Sequence, residues 1–305
     1  MTIRHPAAAL LVGAATVLAS CGGGGGGDDS ASTPTPITSF ELVDPTARAG
    51  DQFGRSVAIL ANGNIVVTDP FDFTVATNSG AVHLYNPRTR ALIGSIFGDA
   101  ANDLLGSGGI TALANGNFVI VSPNDDVGGV ADAGSVKLFD GTTGAPIGST
   151  IADDGADRLG SGGVTALANG NFVIVSPNDD VGGVVNAGSV QLINGTTGAP
   201  IGSTIAGDAV NDLLGGGGVI ALASNNFVIV SHTDDVGGVA DAGSVQLING
   251  TTGAPIGSTI AGSFAGDISL ATVTGSATGD FYVLGLSRAD NNGLVDSGLV
   301  RLIAQ

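Results

Sequence analysis

The sequence has 305 residues, of which 52 are Gly, 27 are Asp or Glu and only 9 are Lys or Arg, so its formal net charge is −18. Its 43% apolar content is too high for an acidic disordered chain, which combines low hydrophobicity with high charge. The negative charge excludes nucleic acid as a partner, because such binding needs a basic surface. A single Cys excludes a disulfide framework and a Cys-rich metal site.

Near the start of the chain, Arg4 is followed by an apolar run from Ala7 to Ala19. This run is shorter than the roughly 20 residues of a membrane-spanning helix and is typical of a signal peptide. It ends at Ser20-Cys21 in a pattern that resembles the lipobox of bacterial lipoproteins. The resemblance implies cleavage before Cys21 and lipidation of that residue. Gly22 resembles the outer-membrane sorting pattern of Gram-negative lipoproteins, so the resemblance places the protein in the bacterial cell envelope, at the outer membrane.

The segment after the Cys is rich in Gly, Ser and Pro and contains no apolar anchor. Such a composition is typical of a flexible tether. We therefore predict a signal peptide over residues 1–20, a lipidated Cys with its tether over 21–36, and a folded domain over 37–305. The membrane is then a partner through the lipid anchor, because several acyl chains inserted together anchor a protein stably.

The folded domain consists of five copies of one repeat, spaced by 54, 54, 55 and 55 residues. In each copy a small residue and a Gly precede a β-type run, at Ser79-Gly80, Ala133-Gly134, Ala187-Gly188, Ala242-Gly243 and Ser297-Gly298. We place the repeats at about 45–98, 99–152, 153–206, 207–261 and 262–305. Residues 37–44 resemble a fourth strand that the last copy lacks.

Each copy is predicted to form four short antiparallel strands, because its apolar runs are brief and separated by turns such as Asn-Gly. No helical period appears after the tether. Four-stranded units of this length are typical of propeller blades, so we expect an all-β, five-bladed β-propeller. The N-terminal strand 37–44 would pair with 297–305 and close the last blade, removing a free sheet edge. The alternative is a β-solenoid, since each repeat equals three coils of about 18 residues.

The first copy contains Asp51-Gln52-Phe53-Gly54, then the strand from Ile65 to Pro70, and resembles the FG-GAP repeat of integrin-α-type propellers. The middle copies also resemble repeats of haemagglutinin-like bacterial surface proteins. This resemblance implies a binding or adhesion-like function without catalysis. The calcium loop of the family, D-x-D-x-D-G, is replaced here by Asn-Gly turns.

Because strand direction alternates, 22 of the 27 acidic residues are predicted on the face that carries the loops between strands two and three and between blades. Paired carboxylates stand out there, and Asp carboxylates with loop carbonyls suit Ca²⁺. This face is therefore a solvated rim, a calcium site or a docking surface for a basic partner. The candidate metal ligands are Asp125, Asp126, Asp179, Asp180, Asp234 and Asp235.

Catalysis has little support in the sequence. After the tether only His83 and His232 remain, neither recurs in the other copies, and no nucleophile–base motif appears. We predict no catalytic residues and no cofactor-binding residues, and we expect a monomer whose protein or surface ligand is unknown. The alternative to a surface binding module is a periplasm-facing scaffold in envelope assembly, and the third candidate is an acid/base hydrolase or lyase.

Overall fold

The computed structural model describes residues 39–155, 157–290 and 294–304. The signal peptide, Cys21 and the tether lie outside the described residues. The chain divides into two units, Met1–Val43 and Asp44–Gln305. Every regular element in the described residues is a β-strand, and none of these residues belongs to a helix that could span a membrane.

The second unit contains five antiparallel sheets, here called sheets 1 to 5 in chain order. Sheets 1 to 4 have four strands in simple sequence order, and sheet 5 has three. The strands are β1 Val57–Ile59, β2 Ile65–Asp69, β3 Ala81–Asn86, β4 Ala91–Phe97; β5 Gly109–Ala112, β6 Phe118–Ser122, β7 Ser135–Phe139, β8 Pro146–Ala152; β9 Val164–Ala166, β10 Phe172–Ser176, β11 Ser189–Ile193, β12 Pro200–Ala206; β13 Gly218–Ala221, β14 Phe227–Ser231, β15 Ser244–Ile248, β16 Ile260–Ala261; and β17 Ala271–Gly275, β18 Phe281–Leu286, β19 Leu299–Ala304. Five blade-like sheets, one per repeat, confirm the all-β, propeller-like prediction.

The core lies between consecutive sheets. The second strand of each repeat is apolar on both faces, and in sheets 2 to 4 all five of its residues are buried, because it is covered by a sheet on either side. Phe118, for example, packs with Leu60 and Val66 of sheet 1, while its neighbour Val119 packs with Phe172 of sheet 3. Further clusters join sheet 3 to sheet 4 and sheet 4 to sheet 5.

The Asn-Gly turns do more than reverse the chain. Asn115 and Asn117, in the turn between β5 and β6, both donate side-chain hydrogen bonds of 2.8 Å to the carbonyl of Gly195, in the turn between β11 and β12. The same pair of bonds joins Asn62 and Asn64 to the carbonyl of the next repeat's turn, and joins Asn169 and Asn171 likewise. These bonds join sheet 1 to sheet 2, sheet 2 to sheet 3 and sheet 3 to sheet 4, at the end opposite the acidic loops.

The predicted closing strand is not seen. Residues 39–44 belong to no strand, residues 37 and 38 lie outside the described residues, and β19 pairs with β18 alone. Among the described residues, no hydrophobic cluster joins sheet 5 to sheet 1. The strand-like pattern of residues 37–44 is a local signal, and a local signal does not by itself determine pairing with a strand at the other end of the domain.

Candidate functional site

Acidic clusters recur at the same end of sheets 1 to 4. In each cluster, three side chains place one ligand atom apiece within 4.8 Å of one another. The clusters are Asp51, Asp69 and Asp72 in sheet 1, joined there by Asp44 and His83; Asp99, Asp103 and Asp125 in sheet 2; Asp153, Asp157 and Asp179 in sheet 3; and Asp208, Asp212 and Asp234 in sheet 4. Several acidic clusters in this protein can therefore bind a metal ion.

Each cluster is assembled from two loops, the one that enters the sheet and the one that joins its second and third strands. In the entering loop, a carboxylate accepts the N–H of the residue three positions earlier: Asp103 from Ala100 at 2.6 Å and Asp212 from Ala209 at 2.7 Å. Such side-chain-to-backbone bonds fix the loop because Asp mimics a backbone turn. Burial raises the pKa of Asp103, which shows that its carboxylate is held away from solvent at a cost.

The predicted Asp-Asp pairs are divided between two roles. Asp125, Asp179 and Asp234 belong to the clusters. Their neighbours instead accept a loop N–H, from Asp132 at 2.8 Å, Asn186 at 2.6 Å and Asp241 at 2.7 Å; these neighbours are Asp126, Asp180 and Asp235. The reason is geometric, because consecutive side chains of an extended loop point in opposite directions. Metal binding by these six residues remains a prediction.

In sheet 2 the cluster contains its own cation. The Lys137 ammonium lies 2.9 Å from Asp125 Oδ2, and the same oxygen accepts a short hydrogen bond from the Ser135 hydroxyl. Lys137 occupies the third position of β7, and the equivalent positions of β11 and β15 hold Gln191 and Gln246. The Lys137 side chain therefore neutralises part of the negative charge of the sheet 2 cluster, whereas sheets 3 and 4 have an uncharged Gln at this position.

In sheet 3 the cluster is partly desolvated. Burial raises the pKa of Asp153 to about 6, with further increases from Asp179, Asp157 and Asp154. Its Oδ2 atom is buried without a hydrogen-bond partner. Burial also raises the pKa of Asp179, although a hydrogen bond from Ser189 acts in the opposite direction.

The sheet 1 cluster is the most deeply buried. Asp69 and Asp72 are 0% exposed and Asp51 is 2% exposed. Neither carboxylate oxygen of Asp69 has a hydrogen-bond donor. Burial, then Asp44, Asp51 and Asp72, raises the pKa of Asp69 to about 7. An ionised Asp44 is also only an acceptor, so the carboxyl groups of Asp44 and Asp69 form a hydrogen bond with each other only when one of them is protonated.

His83 faces this cluster from β3. Its side chain is completely buried; Nδ1 lies 2.8 Å from the Ser95 hydroxyl, and Nε2 has no hydrogen-bond partner. Burial lowers the pKa of His83 more than Asp44 and Asp72 raise it, so the ring is a neutral imidazole. One ring nitrogen of His83 and one carboxylate oxygen each of Asp44 and Asp69 lie within 4.8 Å of one another.

No function was predicted for His83, and Asp44, Asp51, Asp69 and Asp72 were not among the candidate ligands. Comparing the copies with one another was the available signal. β2 ends in Asp69, whereas the second strands of sheets 2 to 4 end in Ser. In the third strands, sheet 1 has His83 at the position where sheets 2 to 4 have Lys or Gln. These two differences place an acid and a base side by side in the first copy alone.

The fold and its repeated loops define a repeat protein built of four-stranded β-sheet blades, in which the first copy differs from the next three. Residues 41–85 match the FG-GAP repeat. Residues 112–152, 166–206 and 221–261 match a repeat of unknown function, DUF5650. The first copy thus matches the FG-GAP repeat and the next three match DUF5650. FG-GAP repeats indicate a β-propeller domain of a binding or adhesion type.

No curated protein matches the chain. Among solved structures, the chain is similar to one titled "Crystal structure of the eukaryotic initiation factor", with a TM-score of 0.48 and 14% sequence identity. The match covers 77% of this chain and 48% of that one, so the chain spans about half the length of the solved structure that it matches. At this TM-score we infer nothing from the likeness.

Proposed function

We propose that this chain is a lipid-anchored, non-enzymatic binding module of the bacterial cell envelope, adhesion-like and exposed at the cell surface. The observation that carries this proposal is the asymmetry between the two ends of the sheets. One end is fixed by the Asn bonds between neighbouring turns, and the other presents an acidic cluster in four successive sheets. A rigid scaffold with one charged end suits recognition of a large surface.

The ligand that fits the acidic end is a basic surface. Asp126, Asp180 and Asp235 are exposed there, while the clustered Asp residues beside them are mostly buried. Exposed like charges on one face create a long-range field that accelerates the approach of an oppositely charged partner and weakens with salt. Asp69 is the carboxyl group whose pKa is raised most, but it is completely buried and out of reach of a substrate, which disfavours a catalytic role for it.

Anchoring and orientation are tested in cells. We expect Cys21→Ser to release the protein from the membrane fraction, and protease added to intact cells to digest the unmodified protein. A variant that remains membrane-bound with unchanged mobility would refute lipidation at Cys21. If the protein were protected from protease in intact cells and digested only after the outer membrane is opened, it would not be surface-exposed, and the alternative of a periplasm-facing scaffold would be favoured.

Binding by the acidic end is tested with a lysine-rich peptide as the probe. We expect the triple variant with Asn at Asp126, Asp180 and Asp235 to bind this peptide severalfold more weakly at low salt. The matched control carries Asn at Asp140 and Asp280, which lie at the opposite end. Asn is the natural residue at the positions equivalent to Asp140 in the next two copies, so the control should keep its fold. Equal weakening in both variants would contradict a specific acidic surface.

Calcium is the cation that we propose for the clusters of sheets 2 to 4, because Ca²⁺ prefers several carboxylate and carbonyl oxygens. In sheet 2 the ion would have to displace the Lys137 ammonium from Asp125. A ligand that binds only the folded state raises the melting temperature. We expect Asn at Asp125, Asp179 and Asp234 to abolish a rise in millimolar Ca²⁺, and Asn at Asp126, Asp180 and Asp235 to preserve it. A rise that Mg²⁺ or matched monovalent salt reproduces would indicate charge screening instead.

A further inference from the structure

Sheet 1 holds an unusual concentration of unsatisfied buried polar atoms. Of the six such side-chain atoms in the described residues, four belong to the same place: Asp51 Oδ1, both carboxylate oxygens of Asp69, and His83 Nε2. Buried polar groups are normally hydrogen-bonded, since leaving one unpaired costs about 1–3 kcal/mol. These four atoms belong to two adjoining groups that share Asp69, namely Asp44, Asp69 and His83, and Asp51, Asp69 and Asp72. Their concentration there requires an explanation.

The later copies show how the fold satisfies the same positions without a ligand. Where β2 ends in Asp69, the equivalent strands end in a Ser whose hydroxyl accepts a backbone N–H of a Gly at 2.9–3.0 Å. These residues are Ser122, Ser176 and Ser231, bonded to Gly106, Gly160 and Gly215. The scaffold does not need a carboxylate at this position, so Asp69 adds a charge that the fold itself does not use.

The neighbouring Arg side chains are engaged elsewhere. The Arg48 guanidinium lies over the Phe73 ring, 4.5 Å from its centroid, and Arg55 donates to the Gln52 side chain at 2.9 Å. The position that supplies an ammonium in sheet 2 is His83 in sheet 1, an imidazole whose Nε2 has no hydrogen-bond partner. The sheet 1 cluster therefore places carboxylates beside an imidazole and not beside an ammonium.

The donor set identifies the class of ligand. Imidazole nitrogen suits transition-metal ions, whereas Ca²⁺ and Mg²⁺ favour oxygen ligands alone. Metal-binding His residues commonly present one nitrogen to the metal while the other is fixed by a hydrogen bond, as Ser95 fixes Nδ1 of His83. Asp72 is oriented as well, through the Thr46 hydroxyl at 2.8 Å and the Thr74 N–H at 2.7 Å.

We propose that Asp69 and His83, with the carboxylates of Asp44, Asp51 and Asp72, form a site for one divalent transition-metal ion such as Mn²⁺ or Zn²⁺. The site is independent of the proposed binding function, because its central residues are buried. It differs from the calcium clusters of sheets 2 to 4 by its nitrogen ligand. The ion joins the segment that contains Asp44 and Asp51 to the face of β2 and β3, so it fastens the start of the domain to its first sheet.

The test uses the purified protein, stripped with chelator and dialysed against Mn²⁺, Zn²⁺ or Ca²⁺. We expect one equivalent of Mn²⁺ or Zn²⁺ that survives desalting and raises the melting temperature. Asp69→Ser and His83→Gln should each weaken this binding at least tenfold. Both substitutions introduce residues that the later copies carry at the same positions, so the sheet should still fold. The triple variant with Asn at Asp125, Asp179 and Asp234 is the control, and it should retain the ion.

Three results would overturn the proposal. Failure to retain Mn²⁺ or Zn²⁺ would leave a shared proton as the explanation of the cluster. Retention of the ion by both Asp69→Ser and His83→Gln would place it elsewhere. If the protein bound Ca²⁺ as tightly as Mn²⁺ or Zn²⁺, and His83→Gln did not change this affinity, the imidazole would not be a ligand and the assignment to a transition metal would be wrong. In the Co²⁺-loaded protein, loss of the visible absorption band on His83→Gln would confirm that the imidazole is a ligand.

Discussion

At the scale of single residues, charge decides how each acidic cluster is stabilised. Sheet 2 places Lys137 against Asp125, sheet 3 leaves Asp153 with a raised pKa, and sheet 1 buries Asp69 beside a neutral His83. One repeat scaffold therefore offers three electrostatic environments at equivalent positions. Each environment responds differently to pH or to the loss of one side chain.

The first prediction concerns pH in the presence of chelator. The pKa of Asp69 is about 7 in the folded protein, above the ordinary value of 3.8. The folded state therefore holds an extra proton between these values, and this stabilisation is complete below about pH 4 and is lost as pH rises through 7. At ~1.4 kcal/mol per pKa unit, the free energy of unfolding should fall by a few kcal/mol between pH 5 and pH 8.

Urea denaturation at matched ionic strength measures this fall. Asp153 acts in the same direction, but its pKa of about 6 confines most of its effect to lower pH. Asp69→Ser should therefore reduce the fall over the whole range, and little of it should remain above pH 6, where Asp153 contributes little. An unchanged slope in Asp69→Ser, or stability that increases over this range, would contradict the assignment.

The second prediction concerns the ion pair of sheet 2. Lys137→Gln should lower the free energy of unfolding by about 1–3 kcal/mol, because it leaves the nearly buried Asp125 carboxylate without its cation. Arg158→Gln is the control, since its pair with Asp132 is exposed and 3.5 Å long, and exposed pairs contribute about 0–1 kcal/mol. Chemical denaturation of both variants decides the matter, and equal losses would argue against a special role for Lys137.

At the scale of elements, the strands and turns could be predicted because their signals are local. Brief apolar runs and Asn-Gly turns fix the strands of each repeat, and sheets 1 to 4 each contain the four antiparallel strands that were predicted. The side-chain bonds from Asn115 and Asn117 to Gly195 could not be predicted. The bonded residues are 80 and 78 positions apart in sequence, so the bonds depend on how two sheets meet. The sheet 1 cluster was missed for the same reason, since its ligands come from separate loops and strands.

The third prediction concerns these bonds between turns. Replacing Asn115 and Asn117 together by Ala should destabilise the protein by about 1–3 kcal/mol. The reason is that the carbonyl of the buried Gly195 loses two hydrogen-bond donors. Asn124→Ala is the control, because its single 3.1 Å bond to Asp132 stays within one loop. Thermal unfolding measures both. A double variant no less stable than the control would show that packing alone aligns the sheets.

At the scale of the whole molecule, the two end sheets of the second unit present exposed apolar faces. On β1, Val57 and Ile59 are 57% and 72% exposed; on β19, Val300 and Leu302 are 70% and 68% exposed. A groove of about 450 Å³ lies on sheet 5, lined by residues that include Leu270, Leu286 and Leu299. The number of sheets followed from counting repeats, whereas the junction between the first and last sheets depends on long-range contacts that no local pattern encodes.

The last prediction addresses this junction. The free edge of β19 has backbone N–H and C=O groups that, in the equivalent strands β7 and β11, pair with a fourth strand. Residues 39–44 form no strand in the structure, so the pairing of residues 37–44 with 297–305 is a prediction from the sequence alone. It is worth testing because unpaired edges promote association between molecules. We expect deletion of residues 37–43 to lower the melting temperature and cause self-association in size-exclusion chromatography with light scattering. Deletion of residues 28–35, which removes only tether, should do neither. Amide hydrogen exchange locates the effect, because residues 299–304 should exchange faster only in the first deletion. If both deletions behave alike, residues 37–43 do not complete sheet 5, and its edge is stabilised without them.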